Sequence, residues 1–462
     1  MGINSSENVP QLNEVTVAMV PWPEHGHLNP LFLLSRFIAS YNIPVHFLCL
    51  TARNHDLKKR LQGAQLDENL HFCDLSVPTN ESESDKDGLL EKLGKSICEK
   101  CHVLSKNTKR LIIIHDCLMI TYIGDLHSIP NFKCYAFYSI SAFVRYSTLR
   151  QVIHIVDEDH DELIQQLGDD FPTLESTFGP HLEEYRREER EWKLSSGVVI
   201  NSCIELEGKY LDSLAIYAED NKPQWCLGPF HMLLETALDI YNRSTQHICL
   251  EFLDKQDANS VIFVSFGTTT TLSQEQVNEL ALGLEQSNHK FIWVVREADD
   301  ERLDKENNCE GKDGKIVLPE GFEERVEGRG MVVRNWAPQL EILEHPSIGG
   351  FMSHCGWNSC IESISMGVPI ASWPIHVDQP YNTVFTTNVL RIGLSVRNWA
   401  RREETVPAAA IEKAVKTLMG TPEGEGMRQR AVELRNKIKN SVSHGGLTCK
   451  EVESFISYIT NN

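Results

Sequence analysis

Short apolar runs separated by amphipathic stretches recur along the chain. Val15–Val20, Val45–Leu50, Leu111–Ile114, Cys134–Phe137 and Val198–Ile200 read as strands, and a helical pattern runs from near Leu28 to Ser40. The pattern restarts with Val261–Phe266, a helix at Gln274–Gln286, and strands at Phe291–Val295, Met331–Arg334, Ile348–Cys355 and Pro369–Trp373. Runs of this kind predict strands buried on both faces, and their alternation with helices predicts parallel sheets covered on both sides. Three amphipathic helices close the chain, Ala408–Leu418, Glu425–Ser441 and Thr448–Ile459. Asp157–Glu191, rich in acid and base, predicts surface helices, and the polar stretch Asp299–Lys315 a surface loop. The fold class is therefore α/β, with two doubly wound, Rossmann-like domains facing across a cleft and joined within Phe230–Gln246. Ligands of such sheets sit beyond the carboxyl ends of the strands.

Composition narrows the function. A length of 462 residues fits two or more domains, and 41% hydrophobic with 24% charged residues are globular values. A net charge of −21 argues against partners such as nucleic acid or an anionic membrane. The first residues have no apolar core of a secretory signal, and no apolar run reaches membrane-spanning length. Gly2 through Ser6 fits the myristoylation pattern, but no polybasic run follows, so no stable membrane insertion is expected. The 13 cysteines are scattered. Cys98 and Cys101 form the one C-x-x-C, inside a predicted helix, with no second pair or histidine at metal spacing. Reduced thiols and a cytoplasmic location follow. The sequons at Asn4, Asn80 and Asn242 carry no weight without secretion.

The densest chemistry lies between Trp336 and Gln379. A buried strand ends in His354-Cys355-Gly356-Trp357-Asn358-Ser359 and turns into a helix, with Glu362 one turn further on. A strand that feeds a helix through a glycine turn exposes free backbone N–H groups, which suit phosphate. Trp336 offers a flat surface for a base, Glu362 a carboxylate for ribose hydroxyls, and Asp378 with Gln379 an acid–amide pair for a sugar. Any one of these residues alone would be ordinary packing; the ordered set describes a nucleotide-sugar site. The segment closely resembles the C-terminal signature of plant UDP-sugar-dependent glycosyltransferases, and the likeness covers the chain after residue 14.

The resemblance implies the GT-B fold: an acceptor-binding domain at 1–240, a UDP-sugar-binding domain at 241–445, and a last helix at 446–462 packing back on the first. It assigns Trp336 to stack on uracil and the Ala337 backbone to pair with the base edge. Gln339 and Glu362 would bind ribose. His354, Asn358 and Ser359 would contact the diphosphate, with Thr268 as a second clamp. Asp378 and Gln379 would hold the sugar. Trp357 falls in the same donor set, with packing as its preferred role; Cys360, where most relatives carry threonine, reads as helix packing. No Asp-x-Asp is placed to carry a metal, since Asp157-Glu158-Asp159 lies in the charged surface segment. The diphosphate charge would be met by hydrogen bonds, the helix end and His354, with no metal and no cofactor.

A hydroxyl acceptor needs a base, and histidine titrates in the right range. An acid on the other ring nitrogen would fix the tautomer and stabilise the imidazolium. His27 lies after the first strand and Asp116 after the third, where parallel strand ends converge. The family pattern sets its base three residues before a proline, here Pro30. His25 is a rival, and His115 a candidate wall of the acceptor pocket along with loops around Trp22, Phe137–Phe143 and Asp157–Glu191. Gln379 accompanies glucose in relatives, so the expected reaction is inverting O-glucosylation from UDP-glucose of a small hydroxylated plant metabolite by a monomer. His115-Asp116, the 355–360 run, His376-x-Asp378-Gln379-Pro380, Gly393-Leu394-x-Val396, Trp399 and Arg401-Arg402 resemble the zeatin O-glucosyltransferase branch. Zeatin, a cytokinin, is the first acceptor; flavonoids, other phenolics, terpenoids and alkaloids are the alternative. A non-catalytic nucleotide-sugar binder is a further alternative. A dehydrogenase is disfavoured because the turn after Val20 lacks G-x-G-x-x-G.

Overall fold

The apolar runs form two all-parallel sheets. A computed structural model describes residues 12–61, 67–77, 86–153, 155, 157–179, 182, 195–217, 222–234, 247–267, 270, 272–295, 316–334 and 336–461. The first sheet contains β1 (Asn13–Val20), β2 (Val45–Leu50), β3 (Leu70–Leu75), β4 (Thr108–Asp116), β5 (Phe132–Tyr138), β6 (Val198–Ile200) and β7 (Gln224–Cys226), in the order β3-β2-β1-β4-β5-β6-β7. The second contains β8 (Val261–Ser265), β9 (Lys290–Val295), β10 (Gly330–Arg334), β11 (Ile348–Ser353), β12 (Ile370–Ser372) and β13 (Gly393–Ser395), ordered β10-β9-β8-β11-β12-β13. Both orders reverse at the first strand, the topology expected of doubly wound domains.

Most strands feed two cores. Val15, Val17 and Met19 of β1 pack under the helix His25–Ala39, whereas Ala18 and Val20 pack against Leu90, Leu93 and Ile97 of the helix Lys86–Ser105. The last helix, Leu447–Asn461, closes the first of these cores with Val452, Phe455 and Ile459, and Phe455 meets Trp225 edge-on. In the second sheet, Ile262 and Val264 face the helices Gln274–Ser287 and Ala408–Gly420, and Phe263 and Phe351 face the opposite core.

A further core joins the halves. Ala136, Tyr138, Phe143 and Tyr210 from the first half pack with Trp357, Ile361, Tyr381 and Phe385 from the second. Phe143 and Phe385 stack with centroids 5.2 Å apart. The structure therefore adds a shared core to the expected cleft. It also corrects the acceptor wall: Trp22, Phe137 and Phe143 are buried core residues.

Several expectations shift at their edges. The first helix begins at His25, so His25 and His27 occupy its first turn and not the loop before it. β11 stops at Ser353, because Cys355 adopts a left-handed φ of 64°. The edge strands β3, β7 and β13 lack long apolar runs and escaped the pattern. Helices Glu158–Leu167 and Leu174–Phe178 lie where surface helices were expected. The loop 299–315, most of the join, Thr268, Gly2 and the three sequons lie outside the described residues.

Glu207 anchors the seam from below. It accepts from the N–H groups of Ala142 (3.0 Å) and Phe143 (2.7 Å) and from the Ser202 hydroxyl, fixing the start of the helix Ala142–Val152. Burial pushes its carboxyl up to about 7 although these donors pull it down. Glu207→Ala orphans three buried donors at about 1–3 kcal/mol each. Its unfolding midpoint, read by circular dichroism, should fall clearly below the parent's; an unchanged midpoint would remove Glu207 from the anchor.

Candidate active site

β1 and β4 are neighbours, with Val20 opposite His115, so the segments that leave them rise together. Asp116 ends β4, and its Oδ1 caps the following turn by accepting from Leu118 N at 3.1 Å. Its Oδ2 lies 2.9 Å from His27 Nδ1. The Ser139 hydroxyl, just after β5, lies 3.0 Å from the same nitrogen. Burial opposes charge on His27, but Asp116, then Glu24 and Asp378, outweigh it and raise the imidazolium to about 9. His25 lies two residues earlier, about 200° around the helix, and so points elsewhere. His115 is fully buried; Nδ1 meets the Asp116 carbonyl at 2.9 Å and Nε2 the Ser195 hydroxyl at 3.2 Å. That removes His115 from the pocket wall.

The second half supplies a helix end. β11 leads through Cys355 and Gly356 into the helix Trp357–Met366, which has no side-chain cap. Its first intrahelical donor is Cys360 N, to Gly356 O at 3.1 Å. The N–H groups before it have no partner inside the helix, the kind of donor that suits an anion, and that of Trp357 meets the Asp378 carboxylate. The His354 ring is wedged between Gly267 and Gly356: a Cβ at either would stand 2.6 Å from Nε2. Burial, then nearby His376, lowers His354 to about 3, so it is neutral at physiological pH. It can meet a phosphate as a hydrogen-bond donor. Its Nδ1 is buried without a partner among the described residues.

Gln339, Ser359 and Glu362 form one polar cluster. Gln339 Nε2 donates to Ser359 Oγ at 3.0 Å and to Glu362 Oε2 at 2.7 Å. Burial raises the Glu362 carboxyl to about 7, against the pull of Gln339. Trp336, 43% exposed, meets His247 edge-on at 5.7 Å, and Ala337 packs at the edge of the core beneath.

Other residues of the set are drawn into the seam. Trp357 is buried and its Nε1 donates to the Asn201 carbonyl at 2.7 Å, a packing position in the seam. Asn358 Nδ2 donates to Gly26 O at 2.6 Å, beside His27. Asp378 accepts from Asn382 at 2.7 Å, and burial raises its carboxyl. Gln379 is buried, its oxygen accepting from Ile375 N and His376 N at 2.9 and 3.1 Å. This amide braces its own loop. Asp157 is a helix cap, accepting from His160 N at 3.2 Å and from the Tyr146 hydroxyl at 2.8 Å.

Sequence reasoning missed Ser139 and Asn382. Asn382 Nδ2 also reaches Cys355 O at 3.0 Å, and its oxygen accepts from Ser141 at 3.1 Å. Its place one helical turn after Asp378 was a usable signal. Ser139 left none, because only pairing with β4 brings it to His27.

Known proteins align with these features. The family described as Glycosyltransferase, N-terminal domain, matches residues 13–232, and UDP-glucoronosyl and UDP-glucosyl transferase matches 226–424. A Zeatin O-glucosyltransferase of Phaseolus lunatus is 41% identical over the full length of both chains. A Zeatin O-xylosyltransferase of Phaseolus vulgaris is 40% identical over 97% of this chain and 98% of its own. The structure of Phytolacca americana UGT2, complexed with UDP-2fluoro-glucose and pterostilbene, superposes with a TM-score of 0.74 at 27% identity, covering 97% of this chain and all of that one. Full-length identity of this order, on two sheets of matching topology, means that the chain belongs to the plant UDP-glycosyltransferase family, with its GT-B fold.

Proposed function

We propose that the chain transfers glucose from UDP-glucose, with inversion, to the side-chain hydroxyl of zeatin, in the cytoplasm and as a monomer. The observation that carries the acceptor is 41% identity, over the full length of both chains, to a protein named Zeatin O-glucosyltransferase. The domain limits 1–240, 241–445 and 446–462 belong to the same reading. His27, oriented through Nδ1 by Asp116, takes the acceptor proton on its other ring nitrogen. The freed oxygen attacks the anomeric carbon, the bond to UDP breaks, and the electron pair leaves with the diphosphate. Asp116 stabilises the imidazolium. The helix end at Trp357 and a neutral His354 receive the diphosphate, Gln339 and Glu362 the ribose, and Trp336 the uracil. A second donor, UDP-xylose, is favoured by near-equal identity to a Zeatin O-xylosyltransferase. The two sugars differ by a hydroxymethyl group, so parallel assays with both donors decide between them.

His27→Ala should lower kcat by roughly 10²–10⁴-fold with donor affinity nearly unchanged. His25→Ala should stay near the parent; the reverse pattern, read in the same UDP-release assay, would move the base to His25.

The raised pKa of His27 sets the pH dependence. A base held at about 9 is protonated at neutral pH, so kcat/KM should climb with pH towards that value. Asp116→Asn removes the charge that raises it. The climb should then begin at lower pH, with a lower plateau. An unshifted profile makes Asp116 structural only.

Trp336→Ala and Glu362→Ala should each weaken UDP itself, since both touch only the nucleoside. Calorimetric titration with UDP tests this, and parental affinity in both variants would sink the donor map.

Competition at equal concentration between trans- or cis-zeatin and flavonols, simple phenols, terpenoid alcohols and hydroxylated alkaloids should rank zeatin first in kcat/KM. A far higher value for another class ends the cytokinin reading and leaves the family unchanged.

A further inference from the structure

The turn between the last two helices brings three metal-ligating side chains together. The helix Pro422–Val442 ends, Gly445 takes a φ of 80°, and the helix Leu447–Asn461 begins. The turn is fixed from inside. Ser441 Oγ lies 2.9 Å from Thr448 Oγ1 and accepts from Thr448 N at 3.0 Å, while Gly446 N donates to Ser443 O at 2.8 Å. A side chain at Gly446 would collide with the Ser441 carbonyl, 2.2 Å from its Cβ. His444 is thereby set over Cys449 and Glu453, which share one face of the last helix at i and i+4. A ligand atom of each of the three lies within 4.8 Å of the others, and Cys449 Sγ is 3.6 Å from Glu453 Oε1.

We propose that His444, Cys449 and Glu453 bind one Zn²⁺ ion, with water as the fourth ligand. One nitrogen, one sulfur and one carboxylate oxygen make a donor set that zinc accepts. Bonds of about 2.0–2.3 Å put tetrahedral ligand atoms roughly 3.3–3.8 Å apart, so small side-chain rotations close the present spacing. Cys449 gives up its thiol proton to solvent on binding. His444 and Glu453 are exposed and Cys449 half-buried, so the ion enters directly from water. It would tie the turn to the helix that covers the first sheet. Tyr41, at the end of the first helix, is close by: burial and then the charges of Cys449 and Glu453 raise its phenol. None of the three ligands belongs to the His27 or Glu362 clusters, so the ion is structural. The inference does not rest on the proposed acceptor.

The test uses untagged, full-length protein stripped by a chelator. Zn²⁺ titrated against a chromophoric chelator should bind one ion per chain, and Co²⁺ in its place should give thiolate-to-metal charge-transfer absorption. Cys449→Ser should abolish that absorption, and His444→Ala and Glu453→Gln should weaken binding at least about tenfold. Cys73→Ser is the control, since Cys73 Sγ lies 3.5 Å from His46 Nδ1 on a sheet edge. It should change nothing. Added Zn²⁺ should raise the unfolding midpoint of the parent but not of Cys449→Ser, with turnover equal before and after chelation. No charge-transfer band in the parent, a band that survives Cys449→Ser, or one lost in Cys73→Ser would each overturn the site.

Discussion

Everything at the centre of this molecule depends on the seam between its two sheets. A helix end that receives an anion is useful only at a fixed distance from the base on the opposite wall. The seam sets that distance with buried groups. Trp357 fills the shared core and hydrogen-bonds Asn201, while the next residue, Asn358, reaches Gly26 on the first turn of the His27 helix. Asn382 links Ser141 of one half to Cys355 and Asp378 of the other. Breaking the Trp357 bond or those of Asn382 strands a buried polar group, which costs more than the bond itself contributes. The two halves are thus coupled at the point where their ligands would meet.

The same cleft shifts two histidines in opposite directions. Both are penalised by burial. His27 has three carboxylates nearby, Asp116 above all, and is raised to about 9; His354 has another histidine instead and falls to about 3. One wall therefore carries the positive charge and the other is neutral. In the proposed reaction the neutral wall receives the diphosphate through N–H groups. Positive charge appears at His27 when it takes the acceptor proton, beside the acid that orients it.

Legibility followed the physics of each element. Central strands such as β4 and β8 are buried on both faces, so their unbroken apolar runs were plain in the sequence. The edge strands β3, β7 and β13 are short or alternate with polar residues and were not. Local chemistry was legible too: the turn from β11 into the Trp357–Met366 helix needed only adjacent residues. His27 with Asp116 was within reach because strand ends in a parallel sheet converge. Ser139 was not, since its role depends on β5 being the next strand over. Burial was the other blind spot. Phe137, Phe143 and His115 have the composition of a binding pocket, and only packing reveals them as core.

The last helix has a consequence for biosynthesis. Its residues Val452, Phe455 and Ile459 cover a core otherwise built before residue 235, and Arg110 reaches the Ile459 carbonyl at 3.3 Å. A ribosome delivers the chain from the other end. The first sheet emerges with Tyr135 and Trp225 lacking Phe455 and Tyr458, and this apolar strip stays bare until the helix Leu447–Asn461 leaves the exit tunnel. During that interval the nascent chain offers a sticky face to chaperones and to other unfinished copies. A frameshift just before the helix Leu447–Asn461 would leave every residue of the cleft in place and still yield a protein that its cell must hold or destroy.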